Sequence, residues 1–431
     1  MIMKIDKIKS VIVILIYTAV LVIERIPWPY TSDDAVFVEE MNQGVTLKDF
    51  FIGRFWSIGK IFTDSLADAF IRIPLWLWKI FDICIWVFIA LLLVKLFTKS
   101  KPADYMLTCI LMLMIPRDYL SSAGFICTQT NYVYTSFCIL LVFYLYKRSI
   151  IFNENMNWHY LCIIPSIFYA TNQDQGGITM VLCAILLTYV VIKYNKNRMM
   201  IKNAIIITCI SFVGEIFTFF IPGHLARMHS KSEMYAYLPQ YENWGLATKL
   251  FHGYSTTVVT LLFTGVSLFY MYLILLAYLS IRSNKLHFMI LAFEPILLVY
   301  LVKLCGIDKV AYTEDYMYGF YDLVSPRENI YATLIFIITI VTVMIIFYLT
   351  WKLPEKIKDK IVLTGMLTIA VLGRGVMGLS ATIYASSFRT FIYLLFIIIA
   401  LCLKLSCIIK KQNEDNNTSI AITAIAALLA K

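Results

Sequence analysis

Stretches of apolar residues long enough to cross a lipid bilayer recur along almost the whole chain. Hydrophobic residues make up 60% of its 431 residues and charged residues only 15%, whereas a soluble domain keeps roughly a quarter of its residues charged. A chain of this composition cannot cover its surface with polar side chains, so lipid must be its main solvent. The sequence therefore predicts an integral membrane protein.

The apolar stretches predict an all-α fold with about twelve transmembrane helices. The predicted spans are residues 8–24, 75–97, 103–116, 131–147, 158–171, 175–193, 203–221, 257–281, 286–304, 329–352, 361–374 and 390–410. They form one predicted transmembrane domain over residues 1–411, followed by a short cytoplasmic tail over residues 412–431. No small-residue cleavage site follows the first span, so we expect it to be retained rather than removed as a signal peptide.

Lysine and arginine concentrate in alternate short loops, for example residues 193–202 and 352–360, while the other loops are richer in acids. This is the positive-inside pattern, which predicts a cytoplasmic N-terminus and C-terminus. The expected location is the inner or plasma membrane, with the lipid bilayer as a partner. Topology thus explains the formal net charge of +10, and no nucleic-acid partner is expected.

The predicted outer loops are long, and the first of them, residues 25–74, is the most informative. Residues 35–43 and 47–69 space their apolar side chains by three or four, which predicts juxtamembrane amphipathic helices lying in the interface plane. The adjacent acids Asp33 and Asp34 precede the first of these helices, where an aspartate can cap free N–H groups. A protein that places its irregular sequence on one face is expected to function there.

Short polar motifs collect at the outer ends of the predicted spans. They are Asp33-Asp34, Gly53-Arg54, Arg117-Asp118, Asn172-Gln173-Asp174-Gln175, Pro222-Gly223-His224-Leu225-Ala226-Arg227, and the arginines Arg374 and Arg389. Each has a plain alternative, such as a helix cap for the acids or an interfacial anchor for an arginine. The turn at residues 172–175 must face protein or a cavity, because lipid would leave its polar groups unsatisfied. Glu215 and Glu294 lie within spans, where a carboxylate usually faces the bundle interior or water.

The combination suits a substrate whose phosphate sits at the level of the lipid headgroups. Arginine binds phosphate through paired hydrogen bonds, and a carboxylate can accept a proton from an attacking hydroxyl. The histidines lack the spacing of a zinc site and there is no glycine-rich phosphate loop. No metal ligands and no definite cofactor are predicted, although Mg²⁺ or Mn²⁺ near the aspartates would be compatible with this chemistry.

These motifs, in this order, resemble those of the GT-C class of polytopic membrane glycosyltransferases. The likeness is greatest to largely uncharacterised bacterial GT-C-like membrane proteins encoded beside surface-polysaccharide genes. In those proteins the motifs are an Asp pair after the first span, Gly-Arg, Asn-Tyr, a short Asn-x-Glu-Gln turn, Pro-Gly-Asn…Arg, and an arginine before the last span. The corresponding residues here are Asp33-Asp34, Gly53-Arg54, Asn131-Tyr132, Asn172 to Gln175, Pro222-Gly223-His224 with Arg227, and Arg389. The sequence departs from the pattern at Asp174, which replaces a glutamate, and at His224, which replaces an asparagine.

The resemblance implies an enzyme that transfers a hexose or pentose from a polyprenyl-phosphate-linked donor to a cell-surface glycan or lipid-linked acceptor on the outer face of the membrane. It implies that Asp33 or Asp34 is the catalytic base. The implied phosphate-binding residues are Arg54, Arg227 and Arg389, and the implied substrate-positioning residues are Asn131, Tyr132, Asn172, Asp174, Gln175 and His224. Two alternatives stay open, namely a flippase or transporter of lipid-linked oligosaccharides and a polysaccharide polymerase.

Overall fold

The computed structural model describes residues 2–152, 156–195, 197–228, 230–264, 266–306, 312–315, 320–323, 329–386 and 388–412. Within this part the chain is almost entirely helical, which confirms the predicted all-α architecture. Most of the predicted cytoplasmic tail, residues 413–431, lies outside the described residues.

The first half of the chain contains thirteen α-helices. They are α1 Ile2–Arg25, α2 Asp33–Asn42, α3 Leu47–Ser57, α4 Ile61–Ile71, α5 Leu75–Phe97, α6 Pro102–Leu113, α7 Arg117–Ser121, α8 Phe125–Thr128, α9 Tyr134–Phe152, α10 Tyr160–Thr171, α11 Asp174–Tyr194, α12 Arg198–Phe219 and α13 Pro222–Met228. A π-helical segment, Gln129–Val133, joins α8 to α9 without a break.

The second half continues with α-helices, short 3₁₀ turns and one small β-hairpin. The helices are α14 Lys231–Tyr237, α15 Leu246–Phe263, α16 Ser267–Arg282, α17 Leu286–Leu304, α18 Ile330–Lys352, α19 Ile357–Gly375 and α20 Ile392–Gln412. The 3₁₀ turns are Pro239–Asn243, Val376–Leu379 and Phe388–Phe391. The strands β1 Tyr312–Asp315 and β2 Phe320–Leu323 pair antiparallel, with Tyr312 opposite Leu323.

Within the described residues, eight helices are long and apolar enough to cross a membrane, or nine if α15 and α16, which meet at an angle of 74°, count as one span. The chain is thus a multi-pass helical membrane protein, but the predicted twelve spans are not confirmed. Two of the twelve, α6 and α10, have only 12 residues each, and about 18 Å of helix cannot cross a hydrocarbon core of roughly 30 Å. A third predicted span, α1, is long enough to cross but carries charged residues near both ends, and it is not among the eight helices.

The predicted amphipathic segment 47–69 is two helices rather than one. Thr46 begins α3 with a capping box, accepting the Asp49 N–H at 3.2 Å. The chain then breaks at Gly59, whose φ of +85° lies in the left-handed region that glycine adopts freely. Helix α4 restarts two residues later and buries one whole face, including Asp64 and Asp68. The interfacial prediction fits the exposed side of α3 but not the largely buried α4.

The described chain divides into two compact units, and the first comprises residues Met1–Glu233 and Phe388–Tyr393. Its core contains a fully buried ion pair between Arg25, at the end of α1, and Asp82 on α5, with Nε and Oδ2 2.6 Å apart. The guanidinium lies 4.6 Å from the Trp28 ring, and Tyr134 donates a hydrogen bond to Asp82. This buried pair therefore holds α1, α5 and α9 together.

The second unit comprises residues Met234–Ser387 and Leu394–Lys431. Its intramembrane acid Glu294 accepts a hydrogen bond of 2.7 Å from Thr342, so α17 is tied to α18. Near one end of α15 the imidazole of His252 stacks on Trp244, with ring centroids 4.0 Å apart. Arg374 is buried in this unit.

Breaking the buried pair should lower stability much more than breaking a partly exposed ion pair. Asp82→Ala leaves the Arg25 charge without its buried partner and with only the partly exposed Glu24, 3.2 Å from Nη1. We therefore expect a loss of about 3 kcal/mol of stability, measured by thermal unfolding in detergent. The control is Asp359→Ala, which breaks the partly exposed pair with Lys404 (Nζ to Oδ1, 2.9 Å) and should cost less than about 1 kcal/mol. Similar shifts in both variants would contradict the assignment of Arg25–Asp82 as the clamp.

Candidate functional site

Polar side chains from six separate segments of the chain meet at one end of the helices of the first unit. This is the end at which α1 finishes, α5 and α9 begin, and α10 turns into α11. We call the group the polar cluster. Its members are Asp34, Arg54, Asp64, Asn131, Asn172, Gln173 and Tyr393.

Asp34 lies on α2 but caps a different helix. Its two carboxylate oxygens accept the backbone N–H groups of Ile126 (3.1 Å) and Cys127 (2.9 Å), at the start of the continuous helix Phe125–Phe152. Gly124, with φ of +85°, allows this approach, because a side chain there would strike the carboxyl group. Asp33, the other half of the pair, is exposed. The structure thus separates the two aspartates into a buried capping residue and a solvent-facing neighbour.

The pKa of Asp34 reflects this position outside the spanning helices. Burial raises its pKa to about 6, while the two backbone hydrogen bonds oppose the rise and Asp33 adds to it. The carboxylate is therefore mostly ionised at neutral pH.

Asn131 is the hub of the polar cluster. It lies in the π-helical segment, where all five residues are buried, and such single-turn π segments frequently occur at functional sites. Its amide nitrogen donates to Asp64 (3.2 Å) and to the Cys127 carbonyl (3.0 Å), and its amide oxygen accepts from Thr63 (2.9 Å). Cys127 is thereby bonded to Asn131 through its carbonyl and to Asp34 through its N–H.

The turn between α10 and α11 supplies the next contacts. Asn172 is fully buried, and its amide group accepts the Phe62 N–H at 2.7 Å and donates to the Gly59 carbonyl at 3.0 Å. It therefore fixes the point at which α4 starts, more than a hundred residues away in sequence. Gln173 caps α11 by accepting the Gly176 N–H at 2.8 Å.

Tyr393, which the sequence analysis did not single out, joins this turn to Asn131. Its hydroxyl donates to the Asn131 carbonyl (3.0 Å), contacts the side-chain oxygen of Gln173 at 3.1 Å, and bonds to Thr135. Tyr132, a predicted site residue, is buried with its ring 5.9 Å from that of Tyr393.

Arg54 is held without a hydrogen bond. Its Cζ lies 4.8 Å from the centre of the Phe37 ring and 4.6 Å from that of Phe50. Its nearest acids are Asp64, 3.8 Å from Nε, and Glu40, 3.9 Å from Nη2, and both distances exceed hydrogen-bonding range. Within the described residues this guanidinium thus has a fixed plane and uncommitted N–H groups.

A second group of acids adjoins the turn. His224 Nδ1 lies 3.5 Å from Asp174 Oδ1, and the Asp174 side chain is 48% exposed. Glu215 of α12 places a buried oxygen against Gly177, and that oxygen finds no hydrogen-bond donor within the described part of the chain. His224 itself packs against Gly59, so the Pro-Gly-His motif contacts the loop that follows Arg54.

The remaining predicted residues are placed less centrally. Arg389 is half-buried and its Nη1 donates to the Ser122 carbonyl at 3.3 Å, close to the loop that Asp34 caps. Gln175 is buried and donates to the Thr390 carbonyl at 3.3 Å. Arg227 is half-buried on α13, the helix that packs against α3.

Sequence analysis missed Asp64 and Asp68. They lie one turn apart on the buried face of α4, and Asp68 pairs with Arg72 at 2.7 Å. The available signal was two acids four residues apart in an otherwise apolar helix, which is unfavourable on a face exposed to lipid. Across the described residues, no group of three or more histidine, cysteine or acidic side chains is placed to hold a metal ion.

The fold and the polar cluster together define a multi-pass helical membrane protein with a polar site at one end of its helices. Comparison of the chain with protein-family models, with curated proteins and with solved structures gave no match.

The raised pKa of Asp34 predicts a pH effect on stability. Its pKa is about 6 in the folded protein and near 3.9 when unfolded, so its protonated form favours folding. That contribution is complete below about pH 4 and is lost as the pH rises through about 6, by roughly 2–3 kcal/mol. As the pH rises from about 4 to above 6, the melting temperature of the wild type should therefore fall relative to that of Asp34→Asn. Parallel curves for the two proteins would refute the assignment.

Proposed function

We propose that the chain is a glycosyltransferase of GT-C type, which moves a sugar from a polyprenyl-phosphate donor to a glycan or lipid-linked acceptor on the outer face of the membrane. The observation that carries the proposal is the uncommitted guanidinium of Arg54 within the polar cluster. Arg54 is partly buried, with 15% of its side chain exposed, and an arginine beside acids usually binds them at direct hydrogen-bond distance. An arginine held ready without hydrogen bonds suits an anion that arrives from outside the protein.

The position of Arg54 suits a phosphate carried by a lipid. It lies on the short helix α3, in the segment between the end of α1 and the start of α5, where the polar headgroups of the bilayer would be. Phe37 and Phe50 fix the plane of the guanidinium, so less side-chain entropy is lost on binding. Phosphate oxygens match the paired N–H groups of arginine.

Asp33 is the better candidate for the base. Both oxygens of Asp34 accept backbone N–H groups, whereas the Asp33 carboxylate is exposed. Asp34 then acts as a positioning residue, because its bonds to the start of α8 fix the helix that carries both acids. In this proposal the sugar hydroxyls bind to Asp174, which is 48% exposed in the turn between α10 and α11, and to the half-buried His224 beside it.

The proposed step is a displacement at the anomeric carbon. The acceptor hydroxyl oxygen forms the new glycosidic bond as its proton passes to Asp33. The bond between the anomeric carbon and the phosphate oxygen breaks, and its electron pair leaves with polyprenyl phosphate. Arg54 stabilises the negative charge that develops on that oxygen in the transition state.

The test is transfer of labelled sugar by purified protein in proteoliposomes, supplied with polyprenyl-phosphate-linked hexoses and pentoses. Asp33→Asn should lower turnover by at least about a hundredfold, because positioned base catalysis contributes that much, while the melting temperature stays unchanged. The matched control is Glu39→Gln, an exposed acid on the same helix, which should retain wild-type turnover. Normal transfer by Asp33→Asn would eliminate it as the base, and lipid movement between leaflets without any new glycosidic bond would instead support a flippase.

A further inference from the structure

We propose that Asp64 competes with the substrate phosphate for Arg54, so that this carboxylate limits how tightly the phosphate is held and promotes release of the phosphate product. The inference rests on the proposed function in one respect, since it takes Arg54 to be the phosphate contact. It assigns a role to a residue outside all the motifs that the sequence indicated.

Asp64 cannot withdraw from Arg54. Its side chain is only 10% exposed, and its second oxygen accepts the Asn131 amide at 3.2 Å. The 3.8 Å separation from Arg54 Nε is too long for a hydrogen bond. It is nevertheless short enough for a substantial Coulomb interaction where water is largely excluded. The carboxylate therefore attracts the guanidinium without occupying its N–H groups.

A bound phosphate would share Arg54 with this fixed negative charge. The two anions repel each other at close range, so the affinity for phosphate is lower than Arg54 alone would give. Asp64→Asn removes the charge but preserves the size and the acceptor for Asn131. It should therefore tighten phosphate binding. A residue that only supported the fold would give the opposite sign, because its loss would loosen the site.

Helix α4 supplies a matched control. Asp68 lies one turn further on and is fully buried, but it pairs with Arg72, whose Nε and Nη2 donate at 2.7 and 3.1 Å. Asp68→Asn thus removes a buried carboxylate from the same helix without changing the charge beside Arg54. Glu40 offers a graded comparison, because its side chain is 36% exposed and solvent screens its effect.

The experiment measures dissociation constants of inorganic phosphate and of farnesyl phosphate for the full chain in detergent. For farnesyl phosphate we expect Asp64→Asn to bind about tenfold more tightly, Glu40→Gln about twofold more tightly, and Asp68→Asn like wild type. Arg54→Gln should weaken binding. Tightening with both probes means that the phosphate group alone is recognised, and tightening with farnesyl phosphate alone means that the lipid must anchor it. In turnover, Asp64→Asn should lower both kcat and the donor KM, because product leaves more slowly.

Two failures are distinguishable. If Arg54→Gln weakens binding but Asp64→Asn does not tighten it, the competition is wrong and the phosphate site stands. If Arg54→Gln leaves both dissociation constants unchanged, the phosphate role of Arg54 is wrong and both proposals fall. Should Asp64→Asn not fold, Asp64→Ser removes the same charge and must show the same tightening. Asp64→Glu, which keeps the charge, must not show the tightening.

Discussion

A polar group surrounded by apolar helices must find its hydrogen-bond partners within the protein, and this constraint organises the first unit. Lipid offers no donors or acceptors, and each unsatisfied group costs several kcal/mol. Asp34 and Asn172 meet the constraint by bonding to backbone far away in sequence. Asn131 meets it by bonding to the side chains of Thr63 and Asp64. The same bonds fix where α4 and α8 begin. The hydrogen bonds that satisfy these buried groups therefore also position the residues of the polar cluster.

The π-helical segment shows how a spanning helix can contribute to such a network. A regular helix would present Asn131 and Thr135 on the same face, one turn apart. That relation is kept here, because Thr135 donates to the Asn131 carbonyl at 2.9 Å. The same carbonyl accepts from Tyr393, while the Asn131 amide nitrogen reaches Asp64. A local irregularity near the end of a span thus links α4, α9 and α20 residue Tyr393.

Local pattern was enough to find the long apolar helices, but not the contacts between distant residues. Helix α17 has the predicted bounds of 286–304, because its sequence is apolar along almost its whole length. The sequence predicts that the turn at 172–175 faces protein, because lipid offers its amide side chains no hydrogen-bond partners. Asp64 escaped notice because its partner Asn131 is 67 residues away. The break at Gly59 depends on one backbone angle, which apolar spacing does not encode.

Three arginines of the first unit differ in how their charge is used. Arg25 and Arg72 hold buried acids at 2.6 and 2.7 Å, which is the geometry of a structural ion pair. Arg54 keeps its acids at 3.8 and 3.9 Å and is instead held by aromatic rings. Arg25 and Arg72 each form a direct ion pair with a buried acid, so an incoming anion would have to break a closed pair. Arg54 can exchange long contacts for direct ones, and the difference of about an ångström in these distances separates an arginine that stabilises the fold from one suited to bind a ligand.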